Sequence, residues 1–297
     1  MHKSGFVNII GNPNVGKSTL MNELVGERLS IITNKSQTTR HRILGIVSGE
    51  EFQIVYSDTP GIIKPNYKLQ ERMMNGVVSS FEDADVFLYV TDVVEKSDKN
   101  EEYVEKLSNV KVPVLCLINK IDLESPEKSI ELKNYCEKTL PNAEVYLISA
   151  LHKTNLDIIF DRIFALLPEG PAWFPKDQLT DKTERFIVSE IVREKILKNY
   201  RKEITYASEV VVEEFKEEEK IIRIKVVIVV ERPTQKGIII GHKGSSLKRV
   251  ATHSREDMEK FFGKKIFVEF FVKVKKDWRD NDYNLRDFGY VYGIDDR

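Results

Sequence analysis

Gly11-Asn12-Pro13-Asn14-Val15-Gly16-Lys17-Ser18-Thr19 is the stretch on which the reading of the fold turns. An apolar run at 6–10 leads into it and an amphipathic stretch at 18–25 leaves it. A glycine-bounded loop between a strand and a helix lets backbone N–H groups turn inward around phosphate oxygens. The helix N-terminus adds partial positive charge at the same point. In that arrangement Lys17 reaches the β- and γ-phosphates and Ser18 offers its hydroxyl to Mg²⁺. The plainer reading, a glycine turn ahead of a structural helix, has the strand-to-helix context against it.

Downstream, further short apolar runs at 43–47, 52–57, 86–91, 112–118 and 144–148 read as strands, with helical patterns at 69–81, 101–107, 132–140 and 156–167. The alternation predicts an α/β domain with a mostly parallel sheet covered by helices. The short link Ser48-Gly49-Glu50-Glu51 predicts a hairpin, hence one antiparallel edge strand.

Three further motifs end strands, where ligands bind in such sheets. Asp58-Thr59-Pro60-Gly61 offers a carboxylate to Mg²⁺ and a glycine amide to a γ-phosphate. Asn119-Lys120-Ile121-Asp122 reads as the base-selecting element. Guanine presents N1–H and a 2-amino group as donors, which the Asp122 carboxylate can pair, while Asn119 bonds the acceptor edge or braces the loop. The Lys120 stem can lie along the base. Ser149-Ala150-Leu151 follows the strand at 144–148, and the Ala150 amide is placed to support recognition of O6. Between the first helix and the second strand lies Gln37-Thr38-Thr39-Arg40-His41-Arg42. One threonine there completes the Mg²⁺ shell when a γ-phosphate is present, Thr39 being favoured over Thr38. A loop held only by γ-phosphate and metal is released on hydrolysis, which makes a switch.

Pro168-Glu169-Gly170-Pro171 stops the last helix of this part. The expected division is residues 1–170 as the nucleotide domain, 171–180 as linker and 181–297 as a second domain. In the second, a helical pattern spans 183–200, strands span 209–215 and 221–230, a helix 245–262 and a strand 266–274. The element order reads as α-β-β-α-α-β. Gly241-His242-Lys243-Gly244 is a GxxG loop between the apolar turn Ile238-Ile239-Ile240 and a helix. Lys236, Gly237, Lys248 and Arg249 flank it. In KH domains such a loop clamps the backbone of about four nucleotides, and the order fits the type II, prokaryotic form. The isoleucines are expected to line a groove for unstacked bases. Trp278 is either a stacking platform or a core residue, the core being favoured.

Bulk composition bounds these readings. The chain has 297 residues, 41% hydrophobic and 31% charged, with net charge -1. That is a soluble two-domain composition, neither a polyanion nor a polycation. Charge is uneven locally: acidic residues gather at Glu217 to Glu219 and at Asp280, Asp282, Asp295 and Asp296, while the GxxG region is basic. The two cysteines, Cys116 and Cys136, make neither a disulfide framework nor a metal spacing. No apolar run approaches the roughly 20 residues of a membrane span, and the N-terminus has no signal-peptide pattern, so a cytoplasmic protein is expected.

With its motifs in this order, the chain resembles the Era family of bacterial ribosome-assembly GTPases over nearly its full length. The resemblance rests on the blocks at 11–18, 37–42, 58–61, 119–122 and 235–241, the last being the most discriminating. It implies a monomeric GTPase that uses GTP/GDP and Mg²⁺ and binds small-subunit ribosomal RNA near its 3′ end during maturation of the small ribosomal subunit. It also implies peripheral inner-membrane association. Asn14 matches an asparagine with which related enzymes hold K⁺ near the phosphates; bracing of the loop is an equal alternative. Ras-like enzymes carry a water-orienting glutamine after the Asp-x-x-Gly glycine. Ile62 stands there, so slow or assisted hydrolysis is expected. The rival readings are an RNA-binding scaffold with a structural nucleotide site and a ribosome-assembly GTPase of another family.

Overall fold

The computed structural model describes residues 1–94 and 101–291. The expected acidic pair Asp295 and Asp296 lies outside the described residues. The chain divides into two compact units, one holding residues 1–65 and 72–181, the other 66–71 and 182–291.

The element order of the first part is β1 (Lys3–Gly11), α1 (Lys17–Val25), β2 (Ile43–Ser48), β3 (Phe52–Asp58), α2 (Lys68–Ser79), β4 (Val86–Asp92), α3 (Glu101–Ser108), β5 (Val114–Asn119), α4 (Pro126–Thr139), β6 (Ala143–Leu147) and α5 (Leu156–Leu166). The six strands order as β2-β3-β1-β4-β5-β6. Only the β2/β3 hairpin pair is antiparallel among these neighbours. Every residue of β5 is buried, as a central strand covered on both faces must be, whereas edge strand β6 is mostly half-buried. β5 starts at Val114 rather than at residue 112, because Pro113 has no N–H to give the ladder; its carbonyl still accepts from Phe87 N at 2.9 Å. Helix α4 begins six residues before the apolar pattern predicts. Ser125 caps it, accepting from Lys128 N, and Pro126 occupies the first turn.

The register aligns the strand ends: Asp58 pairs with Ile9 across β1/β3, and Asp92 with Asn119 across β4/β5. The C-terminal end of β1 lies between β3 and β4, so residues from three strand ends gather at the point where the strand order reverses. Residues 171–181 do not leave this unit as free chain. Gln53 donates to Phe174 O at 2.8 Å and accepts from Trp173 N at 2.7 Å, and Thr180 Oγ1 donates to Leu44 O at 2.6 Å.

The second unit contains α6 (Glu184–Asn199), α7 (Lys202–Thr205), β7 (Glu209–Glu217), β8 (Ile221–Val230), α8 (Pro233–Ile240), α9 (Ser245–Phe262), β9 (Lys265–Val274) and α10 (Asp282–Asp287). β7 and β8 pair antiparallel, β8 and β9 in parallel. A core of Val188, Val192, Ile196, Val226, Ile228, Val250 and Met258 joins α6, β8 and α9. The stretch read as an apolar turn is the end of helix α8. Pro233 opens that helix and the Gln235 side chain accepts from Glu231 N and Arg232 N, both at 3.0 Å, satisfying donors at its start. Trp278 is a core residue: it is fully buried and its Nε1–H donates to Ala207 O at 3.0 Å.

Candidate nucleotide site and nucleic-acid interface

The loop after β1 folds as a cradle. Gly11, Asn14 and Gly16 all have positive φ, and the loop bounds a cavity of about 360 Å³ lined by Asn14, Gly16 to Thr19, the loop at 31–39, Gly61 and Lys120. Gly16 is required by contact as well as by φ of +99°, since a Cβ there would lie 2.3 Å from Asn119 Nδ2. Lys17 is buried, and its ammonium donates to the carbonyls of Gly11 (3.0 Å) and Asn12 (2.8 Å). It therefore sits at the floor of the cradle, able to exchange those carbonyls for phosphate oxygens.

Three oxygen-bearing side chains converge beside it. Ser18 Oγ donates to Asp58 Oδ2 at 2.7 Å and lies 2.9 Å from Thr39 Oγ1, which reaches the same carboxylate oxygen at 3.4 Å. Thr38 turns elsewhere, donating to Lys35 O and meeting Thr33 Oγ1, both at 2.6 Å. Burial pushes the Asp58 carboxyl above the usual aspartate range, opposed by the charge of Lys17 and the nearby hydroxyls of Ser18, Ser30 and Thr39. Its second oxygen, Oδ1, is buried without a hydrogen-bond partner. A buried carboxylate with an orphaned oxygen and two hydroxyls beside it is the hard-oxygen donor set that Mg²⁺ takes. The residues present fit the ion.

Thr59 is buried and its hydroxyl donates to Ile9 O at 2.8 Å, fixing the chain as it leaves β3. Gly61 lies against the loop, with a Cβ position only 2.7 Å from Pro13 backbone atoms. Ile62 is buried and its N–H donates to Gly11 O at 3.1 Å. An alkyl side chain there has no atom with which to orient water.

At the ends of β5 and β6 the residues expected to select the base are braced. Asn119 donates to Val15 O at 2.8 Å and accepts from Ala150 N at 2.9 Å. It braces, and the Ala150 amide expected to face the base is engaged by it instead. Asp122 Oδ1 accepts from Ser149 Oγ at 2.5 Å. Leu151 is 70% exposed beside them. Lys120 reaches back to the cradle, donating to Asn14 O at 2.6 Å and pairing with Asp92 at 2.5 Å. Asn14 Nδ2 donates to Asn34 O at 3.3 Å, a bracing contact to the loop that carries Thr39. Asp92 escaped the motif reading, although a carboxylate ending an apolar strand is the same signal that marks Asp58.

In the second unit, Gly241, Lys243 and Gly244 adopt positive φ between α8 and α9. A Cβ at Gly241 would lie 2.3 Å from Ser246 Oγ, so this glycine is fixed by φ and by space together. Lys236, Gly237, His242, Lys243, Lys248 and Arg249 are exposed around the loop. The expected isoleucine groove divides. Ile239 is fully buried in the core, and its carbonyl accepts from Tyr200 OH at 2.8 Å; Ile238 is 47% exposed. The helical period of α8 separates the two, which the reading as a turn did not anticipate.

A family model described as 50S ribosome-binding GTPase matches residues 6–120, and a KH-domain model matches residues 203–279. The chain is 42% identical to GTPase Era of Clostridium perfringens over 98% of its length and 99% of that protein. It is 43% identical to GTPase Era of Carboxydothermus hydrogenoformans over 98% of each. A crystal structure of Era with MgGDPNP and nucleotides 1506–1542 of 16S ribosomal RNA superposes with TM-score 0.94 at 38% identity, covering 98% of this chain and all of that one. A tyrosine-to-alanine variant of Aquifex aeolicus Era bound to GDP·AlF₄⁻ gives TM-score 0.93 at 38% identity, over 97% of this chain and 99% of that one. Likeness of this extent spans the nucleotide cradle and the GxxG loop alike, and the chain belongs to the Era family of GTPases.

Proposed function

We propose that this GTPase couples nucleotide turnover to binding of small-subunit ribosomal RNA near its 3′ end, and acts in maturation of the small ribosomal subunit. The observation that carries the reading is the full-length likeness to a relative solved with both a GTP analogue and the end of 16S ribosomal RNA. The description of the matched family model names the large subunit. We follow the solved complex, because its RNA belongs to the small subunit and the likeness to it includes the GxxG module. Residues 1–170 serve as the GTPase part, 171–180 as linker and 181–297 as the RNA-binding part.

In this reading Gly11, Asn12, Val15, Gly16 and Thr19 shape the phosphate cradle, and Lys17 neutralises charge on the outer phosphates. Ser18, Thr39 and Asp58 would hold Mg²⁺, which when bound neutralises the phosphates between which charge shifts in the reaction. Thr59 fixes the turn that brings the Gly61 amide toward the γ-phosphate. Asn119, Lys120, Asp122, Ser149, Ala150 and Leu151 form the guanine end. With Ile62 unable to orient water, intrinsic turnover is slow. Asn14 would hold K⁺ beside the phosphates, and faster hydrolysis in K⁺ than in Na⁺, lost in Asn14→Ala, is the check. Lys236, Gly237, Gly241, His242, Lys243, Gly244, Lys248 and Arg249 take the RNA backbone.

No described helix is long and apolar enough to cross a membrane. Cytoplasmic residence, a monomeric state and peripheral contact with the inner membrane complete the proposal; cell fractionation and light scattering check them. The decisive experiment is crosslinking of the full-length protein to total cellular RNA under GDP and under a nonhydrolysable GTP analogue. Enrichment of the 3′ end of 16S RNA with the analogue is expected; background recovery in both states retires the proposal.

A further inference from the structure

We infer that Asp92 is a positioning residue for nucleotide binding, holding Lys120 so that one ammonium ties the base-selecting loop to the phosphate cradle. Asp92 ends β4, opposite Asn119 in register, and is 4% exposed. One carboxylate oxygen accepts from Val94 N at 2.9 Å, so its own turn orients it. The other pairs with Lys120 Nζ at 2.5 Å. The same ammonium donates to Asn14 O at 2.6 Å.

Both residues tied in this way have left-handed backbones, φ +62° at Lys120 and +68° at Asn14. Asparagine takes that conformation readily, but lysine rarely holds it without surrounding contacts to fix it. The ammonium also carries a geometric consequence. With its head fixed at two points, the Lys120 stem has few rotamers left, so the face it presents to a base is set before nucleotide arrives. Asp92 is acceptor-only and nearly excluded from water, which makes the contact a charge-assisted one. Without that charge the ammonium regains its freedom, the stem loses its fixed course and Asn14 loses its tether. Asn119 makes an independent tie, through Val15 O, so the loop should loosen rather than collapse.

The inference rests on the reading of Lys120 and Asn14 as nucleotide-site residues, and the test separates the two. Release of a fluorescent GDP analogue is measured by stopped flow for the full-length protein, Asp92→Asn, Lys120→Met and the double variant. Each single variant should release GDP about tenfold faster, the usual scale for removing a charged hydrogen bond. The double variant should be no faster than Lys120→Met. In steady state, KM for GTP should rise by more than kcat falls, a split that general destabilisation does not produce. Asp92→Glu keeps the charge one methylene out of place; intermediate release is expected from it, and it stands in if the asparagine variant does not fold. Parental release in Asp92→Asn and Asp92→Glu beside fast release in Lys120→Met overturns the role of Asp92 alone. Multiplying effects in the double variant overturn its action through Lys120. Parental release in Lys120→Met removes the nucleotide-site reading of Lys120 and the inference with it.

Discussion

Asp122 and Asp58 are two carboxylates of the proposed nucleotide site with opposite surroundings. Asp122 is exposed and is oriented by Ser149 through a 2.5 Å hydrogen bond. A carboxylate so held pairs two donors of guanine, so Asp122→Asn should weaken GTP binding by about 1–3 kcal/mol and favour xanthosine nucleotides, whose 2-oxo group needs a donor. Calorimetry with GTP and XTP reads this, and equal GTP affinity in variant and parent refutes the base assignment. Asp58 is buried, and burial raises its pKa against the help of Lys17 and three hydroxyls. A folded-state pKa above the unfolded one means that the stability the group contributes is complete below the ordinary aspartate range, near pH 4, and is lost as pH rises through the raised value. In the nucleotide- and Mg²⁺-free protein the contribution of Asp58 to the melting temperature should therefore fall as pH rises through that window, read as the difference from Asp58→Asn because carboxylates held below their usual range, such as Glu144 and Glu259, act the other way. Asp58→Asn should flatten this loss and also abolish the Mg²⁺-dependent tightening of GTP binding. Melting curves of variant and parent that fall in parallel with pH contradict the account.

At the scale of elements, α8, the glycine loop and α9 act as one piece. Gly241 is spatially locked by Ser246, whereas a Cβ at Gly244 would meet nothing within 4 Å although its φ is +78°. The two positions therefore separate fold from function. Gly241→Asp should lower stability by more than the roughly 1–2 kcal/mol of a left-handed non-glycine residue, because contact adds to strain. Gly244→Asp should remain near that figure and yet lose RNA binding, since a carboxylate would stand where phosphates approach. Lys243→Ala, by contrast, should leave melting unchanged and reduce the salt slope of single-stranded RNA binding by about 0.7 for each phosphate it no longer neutralises. Fluorescence titration at several salt concentrations, set beside thermal melting, measures both. Wild-type RNA affinity in Gly244→Asp means that recognition lies elsewhere on the chain.

The whole molecule is two compact units on one chain, each with its own candidate ligand. A nucleotide on one influences RNA on the other only through differential affinity for two states of the protein. Release of the loop carrying Thr39 on loss of the γ-phosphate would supply such states. A coupling of about 1–3 kcal/mol is expected, with RNA bound more tightly under a nonhydrolysable GTP analogue than under GDP. Reciprocity requires RNA to raise GTP affinity by the same factor. Titrations run in both directions check the pair of numbers, and equal RNA affinity in the two nucleotide states would reduce the chain to two tethered modules.

The sequence by itself determined the nucleotide cradle, the order of the strand-end motifs, the hairpin at the sheet edge and the GxxG module. These are local: a glycine-bounded turn or a strand-ending Asp-x-x-Gly carries its geometry in neighbouring residues, and the αβ alternation follows from hydrophobic period. It also justified preferring Thr39 to Thr38 without deciding between them. Tertiary structure sets the two side chains apart: Thr39 meets Ser18 and Asp58 from 21 and 19 residues away, while Thr38 closes a turn on Lys35. Packing likewise turned Ile239 inward and Ile238 outward, gave Trp278 to the core through Ala207, and drew the Ala150 amide to Asn119. The pairing of Asp92 with Lys120 belongs to the same class: 28 residues of chain separate them, and only the parallel register of β4 and β5 sets their strand ends side by side. Short-range pattern fixes what a segment can do chemically; which atoms meet depends on how separate segments pack.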